Sequence, residues 1–270
     1  MVSQYREITA FLEAGGIPDA DFDARCMIEQ VTGQKLETVQ HISDHQQQEL
    51  HKMAERRICG EPLQYILGEW EFFGMRLFVG EGVLIPRPDT EVLVETVLHH
   101  CKGRTSLRIL DLCTGSGCIA LALQKHLPDA EIHALDISEA ALAYAVQNAE
   151  YHALPVQFHR VDVLHGTLPG QFDVIVSNPP YLTTEEMAHL QTEIRCEPAG
   201  ALEAGTDGLQ FYRGITARWN DSLRDGGLLA YEIGEQQGEA VRTILESGGF
   251  RNIQILQDYA RRDRVVTGIR

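Results

Sequence analysis

Asn178-Pro179-Pro180-Tyr181 closes the apolar run Phe172-Asp173-Val174-Ile175-Val176-Ser177, and each of its residues has a chemical use. Asn178 can accept a hydrogen bond through its side-chain oxygen. Two successive prolines fix the backbone and carry no N–H, which leaves their carbonyls as acceptors for a donor-only NH₂ group. Tyr181 can stack on a planar amide or base. The apolar run predicts a buried parallel strand, and the tetrapeptide then sits at its C-terminal edge, where open α/β sheets bind ligands. A strand-ending turn with an aromatic packed behind it would use the same residues, so the tetrapeptide alone does not decide.

A second constellation precedes it. In Asp111-Leu112-Cys113-Thr114-Gly115-Ser116-Gly117 a strand runs into a glycine-rich turn. Gly115 and Gly117 permit sharp backbone geometry and let a ligand approach the main chain, while the N-terminus of the next helix offers free N–H groups. Asp136 ends the following strand, 19 residues after Gly117, the usual place for a carboxylate that holds both hydroxyls of a ribose. Asp111 is placed to meet a ligand amine by a charge-assisted bond. Asp162 can accept from an adenine amino group or cap a turn, and Val163 can pack on the ring. Taken alone, the G-x-G turn is weak evidence, because tight strand-to-helix turns need glycine anyway. A nicotinamide dinucleotide would use the same turn and carboxylate, and Ala120 at the third-glycine position is a tolerated variant. Asn-Pro-Pro-Tyr discriminates, since it has no role in hydride transfer. Turn and tetrapeptide together describe a methyl donor held beside a planar nitrogen.

These residues need a rigid frame. From residue 89 onward helices and strands alternate, which predicts a parallel sheet covered on both faces. A helix begins near Asp89. Strands are expected at Leu107-Leu112, Glu131-Asp136, Val156-Val161, Val174-Ser177 and Leu228-Ile233, and helices at about 117–126, 138–152, 207–224 and 235–247. Ile253-Gln257 and Val265-Ile269 are joined by a short charged turn, as in an antiparallel pair. Residues 1 to about 60 carry amphipathic patterns instead, such as Ile8, Phe11 and Leu12, then Phe22, Ala24, Met27, Ile28 and Val31 before Gly33. The expected organisation is a helical domain over 1–75, a hairpin and linker region over 76–88 and a catalytic domain over 89–270. The hairpin is expected to run from Trp70 to Val79, turn at Gly80-Glu81-Gly82, and return along Val83-Leu84-Ile85.

Composition narrows the function classes. With 270 residues and 44% hydrophobic content the chain can bury a substantial core. Its formal charge of −16 disfavours non-specific adhesion to phosphate backbones, so no direct nucleic-acid partner is expected. No apolar run approaches the ~20 residues that span a bilayer, and the N-terminal residues lack a basic segment followed by an apolar one. A cytoplasmic protein with no membrane partner is the expectation. Six cysteines occur without a C-x-x-C pair, so neither a zinc site nor a disulfide framework is indicated, and no metal is expected.

Further motifs carry a closer likeness. Leu84-Ile85-Pro86-Arg87-Pro88-Asp89-Thr90-Glu91, Asn178-Pro179-Pro180-Tyr181, Glu197-Pro198 with Gly205-Thr206-Asp207-Gly208-Leu209, and Arg262-Asp263-Arg264-Val265-Val266 resemble the HemK/PrmC-type glutamine methyltransferases that modify peptide chain release factors. The likeness covers nearly the whole chain and includes Leu63-Gln64-Tyr65-Ile66-Leu67-Gly68. It implies a class I methyltransferase fold, Rossmann-like with seven strands and a reversed last strand, preceded by a helical bundle that contacts the release factor. It implies S-adenosylmethionine as cofactor, held by Asp111, Cys113, Thr114, Gly115, Ser116, Gly117, Asp136, Asp162, Val163 and Asn178. Transfer to the side-chain amide nitrogen (N5) of the glutamine in a Gly-Gly-Gln loop falls to Asn178, Pro179, Pro180 and Tyr181. Cys113 departs from the glycine that the broader class often has there. Arg87 and Thr90 can shape the cleft, though a structural salt bridge accounts for Arg87 equally well. Glu197 and Asp207 read as turn or cap chemistry, and Glu232 as a buttress at a strand end. The rival enzyme is an amino methyltransferase of nucleic-acid bases, which shares Asn-Pro-Pro-Tyr but needs a basic track. A module that only binds S-adenosylmethionine would not need Asn178.

Overall fold

The computed structural model describes residues 3–270. The chain divides into two compact units, Met1–Trp70 with Gln191–Cys196, and Glu71–Leu190 with Glu197–Arg270. Four helices build the first unit: α1 (Ser3–Ala14), α2 (Ala20–Thr32), α3 (Asp44–Ile58) and the short α4 (Leu63–Leu67). Their apolar residues recur at helical spacing, so Tyr5, Ile8 and Leu12 of α1 meet Ala24, Met27 and Ile28 of α2 and Leu50 and Ala54 of α3 in one core. Burial of each large side chain there contributes about 1.5–3 kcal/mol. Gly33, with φ +67°, ends α2 in the left-handed conformation that glycine adopts without steric cost. A Ser43–Gln46 capping box starts α3. Phe22, expected to face inward, is half exposed and meets the Trp70 ring edge-on at 6.4 Å.

Residues 191–196 join this unit although they lie far along the chain, and no sequence pattern marks them. Arg57, buried at the end of α3, donates to Asp23 at 2.6 Å and pairs with Glu193 at 2.7 Å. A buried guanidinium needs such partners. The boundary falls at Trp70, inside strand β1 (Glu69–Phe72), where the sequence reading put it at 75. With β2 (Met75–Phe78), β1 forms a tight hairpin whose corner is Phe73-Gly74, both at positive φ. The return arm expected at Val83-Leu84-Ile85 is not a strand. Val83 and Ile85 are buried, and their alternation reflects burial rather than cross-strand pairing.

The second unit holds seven further strands, β3 (Arg108–Leu112), β4 (Glu131–Asp136), β5 (Gln157–Arg160), β6 (Phe172–Ser177), β7 (Leu223–Glu232), β8 (Arg251–Gln257) and β9 (Asp263–Ile269), in the order β5-β4-β3-β6-β7-β9-β8. β5 to β7 run parallel, and β9 is antiparallel to both of its neighbours. Val174 and Val176 of β6 enter one core with Leu93 and Val97 of α5 (Glu91–Cys101) and with α6 (Cys118–His126). Ile175 enters the opposite core with Tyr212 and Trp219 of α7 (Gln210–Trp219) and Val241 of α8 (Gly238–Ser247). A sheet buried on both faces explains the continuous apolar strands. α7 is shorter than the expected 207–224, because Gly208 sits at φ +68° and Leu223 already begins β7. The chain order reverses between β3 and β6, and that switch point opens a crevice at the carboxyl ends of both strands.

Candidate active site

Leu112 and Ser177 are register partners at the ends of β3 and β6, so Cys113 and Asn178 leave the sheet side by side. Ser177 Oγ donates to the Leu112 carbonyl at 2.6 Å and locks the two ends together. The turn after β3 is tied to β4 as well: Thr114 N–H reaches the Leu135 carbonyl at 2.9 Å, and Gly115 N–H reaches Asp136 Oδ2 at 2.8 Å. Gly117 adopts φ +82°, and a Cβ there would press on Ala145 at 3.2 Å, so glycine is required by both conformation and space. Cys113 also lies at positive φ, +61°, which explains why a glycine suits this position.

These elements surround a cavity of about 510 Å³. Cys113, Thr114, Gly115, Ser116, Asp136, Asp162, Val163, Asn178 and Pro180 line it, as do Arg87 and Thr90. Asp111, Gly117, Pro179 and Tyr181 do not. Asp111 lies fully buried beneath the turn, where Oδ2 accepts from the Thr114 hydroxyl at 2.5 Å. Burial pushes its carboxyl up to about 7, against the lowering effect of the Thr114 hydroxyl and the Ala120 N–H. Burial also raises Asp136, although it accepts from the N–H groups of Ser138 and Gly115. Asp162 caps a turn, as the sequence allowed, with Oδ1 accepting the Leu164 N–H at 2.9 Å, and the residue also lines the cavity. Its hydrogen bond from His165 holds the carboxyl below the usual range.

The tetrapeptide is braced from behind. Gln237 Nε2 donates to the Tyr181 carbonyl at 2.9 Å and to the Gly208 carbonyl at 3.2 Å, and a Cβ on Gly208 would collide with the same Tyr181 carbonyl. Leu182 N–H donates to the Leu202 carbonyl at 2.9 Å, and Ala204 N–H donates to the Leu182 carbonyl at 2.8 Å. Tyr181 is partly buried against the core around Tyr212 and Ile233. Asn178 Nδ2 donates to Thr90 Oγ1 at 3.2 Å, which leaves Oδ1 as a separate acceptor. Glu197 is buried, accepts the Ile85 N–H at 3.0 Å and pairs with Arg87, so it shapes the segment that carries Arg87. Asp207 pairs instead with Arg213 at 2.6 Å.

Sequence reasoning passed over Ile137 and Leu164, two apolar cavity residues next to the acidic ones. Ile137 is 59% exposed, and an apolar side chain left open directly after Asp136 is the signal that marks it. Among the described residues, Asp111 Oδ1 and Ser116 Oγ are buried without a hydrogen-bond partner. An acidic oxygen and a hydroxyl left open at one turn complement a group with both an ammonium and a carboxylate.

A seven-stranded sheet with a reversed β9 and a glycine-rich turn that opens a cavity at the switch point define a class I S-adenosylmethionine-dependent methyltransferase. Residues 88–207 match the family profile Methyltransferase small domain, and residues 4–68 match PrmC N-terminal domain. The chain belongs to the release factor glutamine methyltransferase family. It is 40% identical over 256 residues to the Release factor glutamine methyltransferase of Salmonella typhimurium, covering 91% of each chain. With the protein of that name from Thermodesulfovibrio yellowstonii it shares 44% identity over 229 residues, 83% of this chain and 82% of the relative. A methyltransferase from Pyrococcus furiosus, 19% identical, superposes with a TM-score of 0.55 over 84% of this chain and 98% of its own, a likeness of fold.

Proposed function

We propose that this chain methylates the side-chain amide nitrogen (N5) of the glutamine in the Gly-Gly-Gln loop of peptide chain release factors, in the cytoplasm. The observation that carries the reading is the orientation of Asn178, whose Nδ2 is engaged by Thr90 while Oδ1 is left to accept. S-adenosylmethionine, when bound, supplies an electrophilic methyl group on a sulfonium. Asp136 would hold the ribose hydroxyls, and Ser116, with Asp111 beneath it, would meet the methionine end. Asp162, Val163, Ile137 and Leu164 would hold the adenine.

An amide nitrogen is a poor nucleophile because its lone pair is delocalised. Asn178 Oδ1 and the Pro179 carbonyl accept from the NH₂, point the nitrogen along the line of transfer and favour pyramidal character as the bond forms. No general base is assigned, since alkylation itself makes the nitrogen acidic enough to lose its proton. A slim Gly-Gly backbone can enter a narrow cleft with its glutamine extended.

Three residues are too small a target to select a release factor among cellular proteins, so a second contact surface is required, and the helical unit provides it. Incubation of the protein with labelled S-adenosylmethionine and an intact release factor, followed by peptide mass mapping, should place one methyl on that glutamine. A short Gly-Gly-Gln peptide should react far more slowly. Preferential labelling of DNA or ribosomal RNA would overturn the reading in favour of base methylation.

A further inference from the structure

The Asn178 side chain is nearly symmetric in shape, so packing alone cannot decide whether its oxygen or its nitrogen faces the cavity. The choice matters. An NH₂ turned toward a substrate NH₂ would set donor against donor. What lies behind Asn178 therefore sets the chemistry in front of it.

Thr90, 88 residues earlier, is 1% exposed and accepts from Asn178 Nδ2 at 3.2 Å. Its hydroxyl has a single proton, which must find an acceptor of its own. Glu232, the last residue of β7 and equally buried, is the acidic group on which both Thr90 and Asn178 act, each favouring its ionised form. Among the described residues, Glu232 Oε2 has no hydrogen-bond partner. Arg264, the cation that acts on Glu232, makes its own contacts with Asp89 and Asp258, each at 3.2 Å. A carboxylate kept buried without a contact cation costs stability, and its use lies in presenting a wall made only of acceptors.

We infer that Glu232 and Thr90 are positioning residues, which together hold the Asn178 amide with its nitrogen inward and its oxygen toward the substrate. The inference rests on the glutamine-methylating reading above. It also carries a pH signature. Burial pushes Glu232 up to about 7, with Asp89 raising it further and Thr90, Arg264 and Asn178 opposing; Tyr181, Tyr212 and Cys118 are the other titratable groups that feel it. A protonated Glu232 becomes a donor and the acceptor wall is lost.

Turnover on an intact release factor at saturating S-adenosylmethionine tests this. Thr90→Val and Glu232→Gln should each lower kcat by roughly 10²-fold while leaving cofactor affinity, read by calorimetry on the same preparation, within about threefold. Thr90→Ser should restore most of the rate. The double variant should be little worse than the worse single one, as for residues acting as a unit. The wild-type fall in kcat below about pH 7 should vanish in Glu232→Gln. A Glu232→Gln enzyme that keeps kcat within about threefold, or losses that multiply in the double variant, would overturn the relay. Hydrogen exchange of the Asn178 side-chain NH₂, followed by NMR, reads the orientation without turnover. Thr90→Val should accelerate it at least tenfold, and unchanged exchange counts against the relay. If the wild-type protein places no methyl on glutamine, the functional reading fails, while amide exchange still decides the relay.

Discussion

Asp136 Oδ2 accepts the backbone N–H of Gly115 at 2.8 Å, so the carboxylate assigned to the ribose also holds the glycine turn in place. Asp136→Ala should therefore remove the proposed ribose contact and loosen the turn opposite. S-adenosylmethionine affinity should fall by about 1.5–3 kcal/mol, the range for charge-assisted hydrogen bonds. Titration calorimetry measures it, and an unchanged affinity would remove Asp136 from the binding site.

With Asp111 assigned to the methionine amine, its raised carboxyl should make cofactor binding sensitive to pH. Its folded value of about 7 lies above the ordinary aspartate value, so between those limits the folded protein keeps a proton that the unfolded chain has lost. The contribution of Asp111 to stability is thus present at acid pH and declines as pH rises through about 7. An ammonium ligand prefers the ionised carboxylate, so affinity should weaken by up to about tenfold per unit as pH falls below 7. Asp111→Asn should bind more weakly at pH 8 and show a flatter profile. A wild-type affinity constant from pH 5.5 to 8 would contradict the assignment.

Cys113 holds a left-handed backbone that costs a residue with a Cβ about 1–2 kcal/mol. Cys113→Gly should remove that cost and lose some side-chain packing, leaving thermal stability equal or higher and cofactor affinity within about threefold. Cys113→Val, whose branched side chain tolerates positive φ poorly, should lower the unfolding temperature. The opposite order of the two variants would mean that packing of the thiol, not backbone strain, governs the position.

Much of the frame was legible because local rules impose it. Runs buried on both faces marked β3, β4, β6 and β7, and Gly115, Gly117 and Gly208 marked turns that only their φ values allow. Asp136 and Asn178 could be placed because strand ends at a switch point face the crevice. Distant pairings were not legible. Nothing local shows that Arg57 captures Glu193, that Glu197 holds Ile85 and Arg87, or that Asn178 meets Thr90. Val83 and Ile85 misled for a related reason, since alternation records burial, and the second face was supplied by the fold rather than by a partner strand.

Replacement of Asn178 by alanine tests the central claim most directly. Single-turnover methylation of an intact release factor, with S-adenosylmethionine affinity measured in parallel, separates transfer from binding. Asn178→Ala should slow transfer by roughly 10²-fold or more while cofactor affinity stays within a few-fold. Transfer to glutamine at a near-wild-type rate would contradict the claim that this side chain positions the amide nitrogen.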